Sequence, residues 1–138
     1  MNREIIGPNE KWLRWKFPNP NLADDYDIVS LQETLQTLIV LLRTGESDRA
    51  FRLTCKNVWG YRSTYETYRM GLLDELRARY GSDFHRNWVL FEVKNSEYAA
   101  EFGAKHLAHY VVYTDNYILD IVAESEPELE FERGLVEH

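Results

Sequence analysis

Only one cysteine, Cys55, occurs in this 138-residue chain. No disulfide can close within it, which is in keeping with a reducing compartment. Long apolar runs are also missing. The longest, Leu38 to Leu42, falls far short of the roughly 20 residues a membrane-spanning helix needs. The opening residues carry Arg3, Glu4, Glu10, Lys11, Arg14 and Lys16, so no secretory signal is expected. Glycine and proline are sparse, at 7 and 4 residues. No glycine- or serine-rich tether divides the chain, no glycine loop cradles a phosphate, and no Gly-x-Ser-x-Gly elbow is present. These absences point to a single cytoplasmic domain over residues 1–138, without a membrane segment or a bound cofactor.

What is present suits a packed core. Hydrophobic residues make up 44% of the chain and aromatic residues 14%. A domain of this length buries roughly 70% of the surface its unfolded chain would expose. The net charge of −7 is placed unevenly. Through Gly81 there are 12 basic and 11 acidic residues, a balance of +1; from Ser82 onward there are 4 and 12, a balance of −8. An acidic face of that kind repels nucleic acid and anionic membrane, and it speeds encounter with basic proteins.

The acid is patterned as well as abundant. From Asp120 the chain reads Asp-Ile-Val-Ala-Glu-Ser-Glu-Pro-Glu-Leu-Glu-Phe-Glu, with every acid at an even position. Side chains alternate across an extended backbone. An extended segment would therefore show a carboxylate row on one face and Ile121, Ala123, Leu129 and Phe131 on the other. Segment 124–138 is expected as an edge strand broken at Pro127, or as a frayed tail.

Elsewhere two periods compete. Lys11 to Phe17 alternates and reads as a strand, as does Ala50 to Val58, where Phe51, Leu53 and Cys55 share a face. Ser30-Leu31-Gln32-Glu33 fits a capping box, and Leu31, Leu35, Leu38 and Leu42 follow at helical spacing, so a helix is expected from about Leu31 to Arg43. A second capping box, Ser63-Thr64-Tyr65-Glu66, precedes a stripe of Tyr65, Tyr68, Leu72, Leu73 and Leu76, with Arg77 and Arg79 near the end and Gly81 as the stop. Trp88 to Val93 reads as a strand, and Ser96 to Phe102 as a short helix capped by Asn95 or Ser96. His109–Tyr113 and Tyr117–Val122 read as a hairpin turned by Thr114-Asp115-Asn116. The expectation is an α+β domain: a mostly antiparallel sheet with two main helices packed on one face.

No assembled catalytic motif accompanies this pattern, so an enzyme is the less favoured class. The expected function is a non-enzymatic, acidic protein-binding domain of the inhibitor, immunity or adaptor type. Its docking residues would be Tyr117, Asp120, Glu124, Glu126, Glu128, Glu130 and Glu132, and its partner a protein with a basic surface. The alternative is a small-molecule or nucleotide-binding domain. Its pocket would be formed by Trp59, Tyr61, Arg62, Tyr65 and Arg69 at a strand end and a helix N-terminus, where backbone N–H groups hold anions. His106 and His109 lie three apart, which places them on opposite faces of a strand and argues against a shared metal. Cys55 alternates with apolar neighbours and reads as an inert core thiol. Asp24, Asp25 and Asp27 read as solvated loop acids.

Overall fold

The computed structural model describes residues 6–15, 26–43, 50–65, 70–84 and 88–132. It corrects the expected fold class. Among the described residues the protein is mostly β, with 53% in strands and 14% helical, in two antiparallel sheets with a single helix of seven or more residues. The strands are β1 (Lys11–Arg14), β2 (Asp27–Thr34), β3 (Thr37–Arg43), β4 (Ala50–Cys55), β5 (Val58–Tyr65), β6 (Leu90–Lys94), β7 (Ala108–Tyr113), β8 (Tyr117–Ala123) and β9 (Glu128–Glu132). Helix α1 (Met70–Tyr80) precedes β6, and the short α2 (Glu97–Ala100) follows it. A five-stranded sheet runs β1-β6-β7-β8-β5 and a four-stranded sheet runs β2-β3-β4-β9.

The expected first helix is a hairpin. β2 pairs antiparallel with β3 from Asp27↔Arg43 to Thr34↔Thr37. Leu35, at φ 54°, turns the chain and is 90% exposed. The leucine spacing fits either period over so short a run. What decides is the neighbour: β3 lies between β2 and β4, and alternation buries Leu38, Val40 and Leu42 against Cys55, Leu53 and Phe51 in register. The capping box at Ser30 does not form, and Glu33 instead accepts a hydrogen bond from the Tyr61 hydroxyl at 3.1 Å.

The second capping box fails for a similar reason. Ser63, Thr64 and Tyr65 belong to β5, paired with Leu119, Ile118 and Tyr117 of β8. The helix itself exists and is described over Met70–Tyr80. Its end is as expected: Gly81, at φ 99°, donates its N–H to the Arg77 carbonyl at 2.9 Å, a left-handed cap that glycine adopts without steric cost. Arg79 reaches back to the carbonyls of Ile6, Gly7 and Glu10, which ties the helix to the segment ahead of β1.

Two cores result. Between the sheets, Leu38, Val40, Leu42, Phe51, Leu53 and Cys55 meet Leu90, Val112, Leu119, Ile121 and Ala123. On the far face of the five-stranded sheet, Leu72 and Leu76 of α1 cover Phe91, Val93, Val111 and Ile118, together with Trp12 and Ile6. The hairpin β7–β8 is thus apolar on both faces. Its turn also joins the sheets: the Asn116 amide exchanges two hydrogen bonds of 3.1 Å with the backbone of Ile28 in β2.

The hairpin at Leu35 has a direct test. Leu35→Gly is expected to raise the unfolding free energy by roughly 0.5–1 kcal/mol, because a left-handed leucine is strained more than a glycine is entropically costly. A helix through this segment would instead lose about 1 kcal/mol on the same change. The midpoint of urea unfolding separates the two.

Candidate functional site

Two crossings between the sheets lie side by side and shape the acidic surface. β4 passes to β5 through Lys56 and Asn57, the latter at φ 56°. β8 passes to β9 through Glu124 to Pro127. The Glu124 N–H donates to the Asn57 carbonyl at 3.0 Å, and the Asn57 amide donates to Ser125 Oγ at 2.9 Å. The acid row is divided by this crossing. Glu124 and Glu126 lie exposed on it, with Pro127 buried between Glu126 and β9. In β9, which is an edge strand, Leu129 packs toward the core while Glu128 and Glu130 are exposed. Glu132 pairs in register with Ala50, and its side chain lies outside those described.

Cations neighbour part of this segment. Arg52 Nη1 lies 3.5 Å from Glu130 Oε1 and Lys56 Nζ lies 3.7 Å from Glu128 Oε2, with all four side chains well exposed. Exposed pairs of this kind contribute at most about 1 kcal/mol and are readily screened. Glu124 accepts from Trp59 Nε1 at 2.8 Å and lies 3.4 Å from His106 Nε2. The Trp59 hydrogen bond, and then His106, hold its carboxyl below the usual range.

Asp120 takes no part in that surface. It is fully buried in β8 and faces the α1 side of the five-stranded sheet, opposite the outer face of β9. Asp120 Oδ1 is 2.8 Å from His109 Nε2. Its Oδ2 accepts from Arg62 Nε at 3.0 Å. Arg62 lies over the Tyr98 ring at 4.1 Å, and the Tyr98 ring meets His109 edge-on at 5.4 Å. On the other side of the imidazole, Nδ1 is 2.7 Å from Ser96 Oγ. Four segments converge here: β5, β7, β8 and the β6–α2 turn. A small cavity of about 180 Å³ beside the cluster is lined by Arg62, His109, Asp120, Tyr98, Glu10 and Glu97, among others.

The aromatic and arginine set is not gathered into one pocket. It lies along β5, an edge strand of the five-stranded sheet, and alternation separates its members. Arg62 turns to Asp120. Tyr61 packs against the inter-sheet core with its hydroxyl on Glu33. Trp59 is half-exposed beside Glu124. Tyr65 is exposed and stacks on Tyr117 with ring centres 4.8 Å apart. Arg69 lies outside the described residues, as do Asp24 and Asp25, while Asp27 opens β2 on the surface. Tyr65 itself closes β5 and is not part of a helix start.

His106 and His109 point apart, one to Glu124 and the other to Asp120. Among the described residues, no three His, Cys, Asp or Glu side chains come together to hold a metal. Cys55 sits in the inter-sheet core, whereas His109 is on the other face of the five-stranded sheet. The Ser96–His109–Asp120 link was not read from the sequence as a unit, although its signal was there. With the hairpin register set by the turn at 114–116, His109, Val111 and Tyr113 share a face with Ile118, Asp120 and Val122. An aspartate inside so apolar a strand must find a partner.

No family model, curated protein or solved structure matches the chain. No helix among the described residues is long and apolar enough to cross a membrane.

Burial pushes the Cys55 thiol up to about 12 from 9.0. The folded value lies above the unfolded one, so Cys55 leaves stability unchanged below pH 9 and lowers it above. The slope approaches about 1.4 kcal/mol per pH unit as the unfolded thiol ionises. Unfolding free energies measured from pH 8 to 10 should fall less for Cys55→Val than for the wild type, the remaining fall coming from tyrosines such as Tyr110, whose hydroxyl burial also pushes up.

Proposed function

We propose that this protein is an acidic protein-binding domain whose docking surface is the exposed segment Glu124, Glu126, Glu128 and Glu130. The observation that carries the reading is four exposed carboxylates within seven residues, on a crossing and an edge strand anchored by backbone pairing. The only ion pairs that Glu128 and Glu130 make among the described residues are exposed ones with Lys56 and Arg52, and a partner's lysines and arginines can displace such pairs at little cost. The partner implied is a protein with a basic surface. Carboxylates spaced along a strand can match a row of cations, and the net charge of −7 steers the encounter. Trp59, half-exposed and hydrogen-bonded to Glu124, supplies an aromatic anchor at the end of the row, of the kind that dominates binding energy at interfaces. Asp120 and Tyr117 are not part of the surface proposed, since one is buried and the other stacks on Tyr65.

The test uses the full chain as bait in extract from its native host, followed by stopped-flow association with the purified basic partner. The association rate is expected to fall steeply between 0.05 and 0.5 M salt, a range that takes the screening length from about 14 Å to about 4 Å. Glu126→Lys combined with Glu128→Lys should slow association about tenfold or more while leaving Tm within a few degrees. An unchanged rate and affinity in that variant would overturn the reading.

A further inference from the structure

A second, independent feature is the hydrogen-bonded series Ser96–His109–Asp120. We propose that Ser96 is an activated nucleophile, with His109 as its base, and that the cleft it borders takes a small acyl ester carrying an anionic group.

The direction of the hydrogen bonds follows from the Asp120 carboxylate, which can only accept. Asn95, at φ 57°, reverses the chain at the end of β6, and Ser96 caps α2 by accepting the Ala99 N–H at 2.9 Å. With Oγ acting as acceptor there, the hydroxyl hydrogen is available to His109 Nδ1 at 2.7 Å. In the neutral imidazole the ring proton sits on Nε2 and donates to Asp120 at 2.8 Å, which leaves Nδ1 as the acceptor. The imidazole is therefore held in the tautomer that can take a proton from Ser96. Asp120 is placed to steady the imidazolium that forms, as in serine hydrolases. The ring nitrogens are used in the opposite order from chymotrypsin-like enzymes, but a proton relay works equally through either. Capping Ala99 requires only the serine oxygen. A buried histidine and a buried aspartate behind it, with Arg62 on the second carboxylate oxygen, are costly to desolvate and add nothing to a cap.

Ser96 also borders a cleft of about 650 Å³, within the range of small-ligand sites. Its walls include Ala99, Ala100, Leu107 and Lys105, and also Lys94, which is paired with Glu92 at 3.0 Å. Lys105 leaves the cleft with positive charge, hence an anionic ester. In the first step the Ser96 proton passes to His109 Nδ1 as Oγ bonds to the ester carbonyl carbon. Collapse of the tetrahedral species breaks the bond to the leaving alcohol, which takes the proton back from Nδ1. Water then gives a proton to Nδ1 and its oxygen to the acyl carbon. Acid is released and Ser96 recovers its hydrogen, so that ester and water yield acid and alcohol.

A fluorophosphonate probe tests this on the full chain, because attack by Oγ displaces fluoride and leaves a stable adduct that peptide mass spectrometry locates. A single adduct at Ser96 is expected. Ser96→Ala should abolish it and His109→Gln should slow it about 100-fold, the scale of general-base assistance. The thermal transition of each variant shows whether it is folded. Ser96→Cys, which keeps the size of the cap, should transfer reactivity to iodoacetamide. Lys105→Glu should raise KM for a carboxylate-bearing 4-nitrophenyl ester about tenfold. Asp120→Asn should alter the pH profile of labelling, which loss of a purely structural contact would not do. A folded wild type that saturating probe leaves unlabelled at Ser96, or a folded His109→Gln variant labelled at the wild-type rate, would overturn the proposal.

Discussion

The architecture depends on covering both faces of β7 and β8. These strands carry Val111, Val112, Ile118, Leu119, Ile121 and Val122, all fully buried. One face meets the four-stranded sheet and the other meets α1. Burial of that much apolar surface is the dominant favourable term in folding. It also sets a condition on every polar group inside, which must be paired or destabilise the fold. His109 and Asp120 meet that condition through one another, Ser96 and Arg62.

The same constraint sorts the acids. Those that fall on a covered face are internalised and matched, as Asp120 is. Those that fall on the crossing to β9, or on the outer face of the four-stranded sheet, remain in water. A single alternating stretch of sequence thus serves two structural purposes, because the chain changes sheet at Glu124 to Pro127. The parity of the alternation continues through that crossing, but the side of the sandwich it addresses does not. This is why the buried series Ser96–His109–Asp120 and the exposed carboxylates lie apart.

Much of the strand content was legible. Phe51, Leu53 and Cys55 alternate in β4 as read, β7 and β8 form the hairpin expected, and Ser96 caps a short helix. The fold class was not legible, and the reason lies in particular residues. Leu31, Leu35, Leu38 and Leu42 satisfy a helical period, yet Leu38, Val40 and Leu42 satisfy a two-residue period equally well. Only pairing with β4 selects between them. Ser63 and Glu66 fit a helix start, but β8 needed a partner along Ser63 to Tyr65. Capping signals are worth about 1 kcal/mol each, which is less than the packing that a strand in that place secures.

The residue order alone determined the local patterns: the alternation of acid with apolar side chains, the hairpin turn at Thr114-Asp115-Asn116, and the glycine stop after Tyr80. These depend on neighbours close in the chain. The tertiary structure alone decided which sheet each strand joined. That placed Asp120 beside His109 and Arg62 and left Glu124 to Glu130 in water. Such meetings join residues 11 to 58 positions apart, and no local preference acts over that distance.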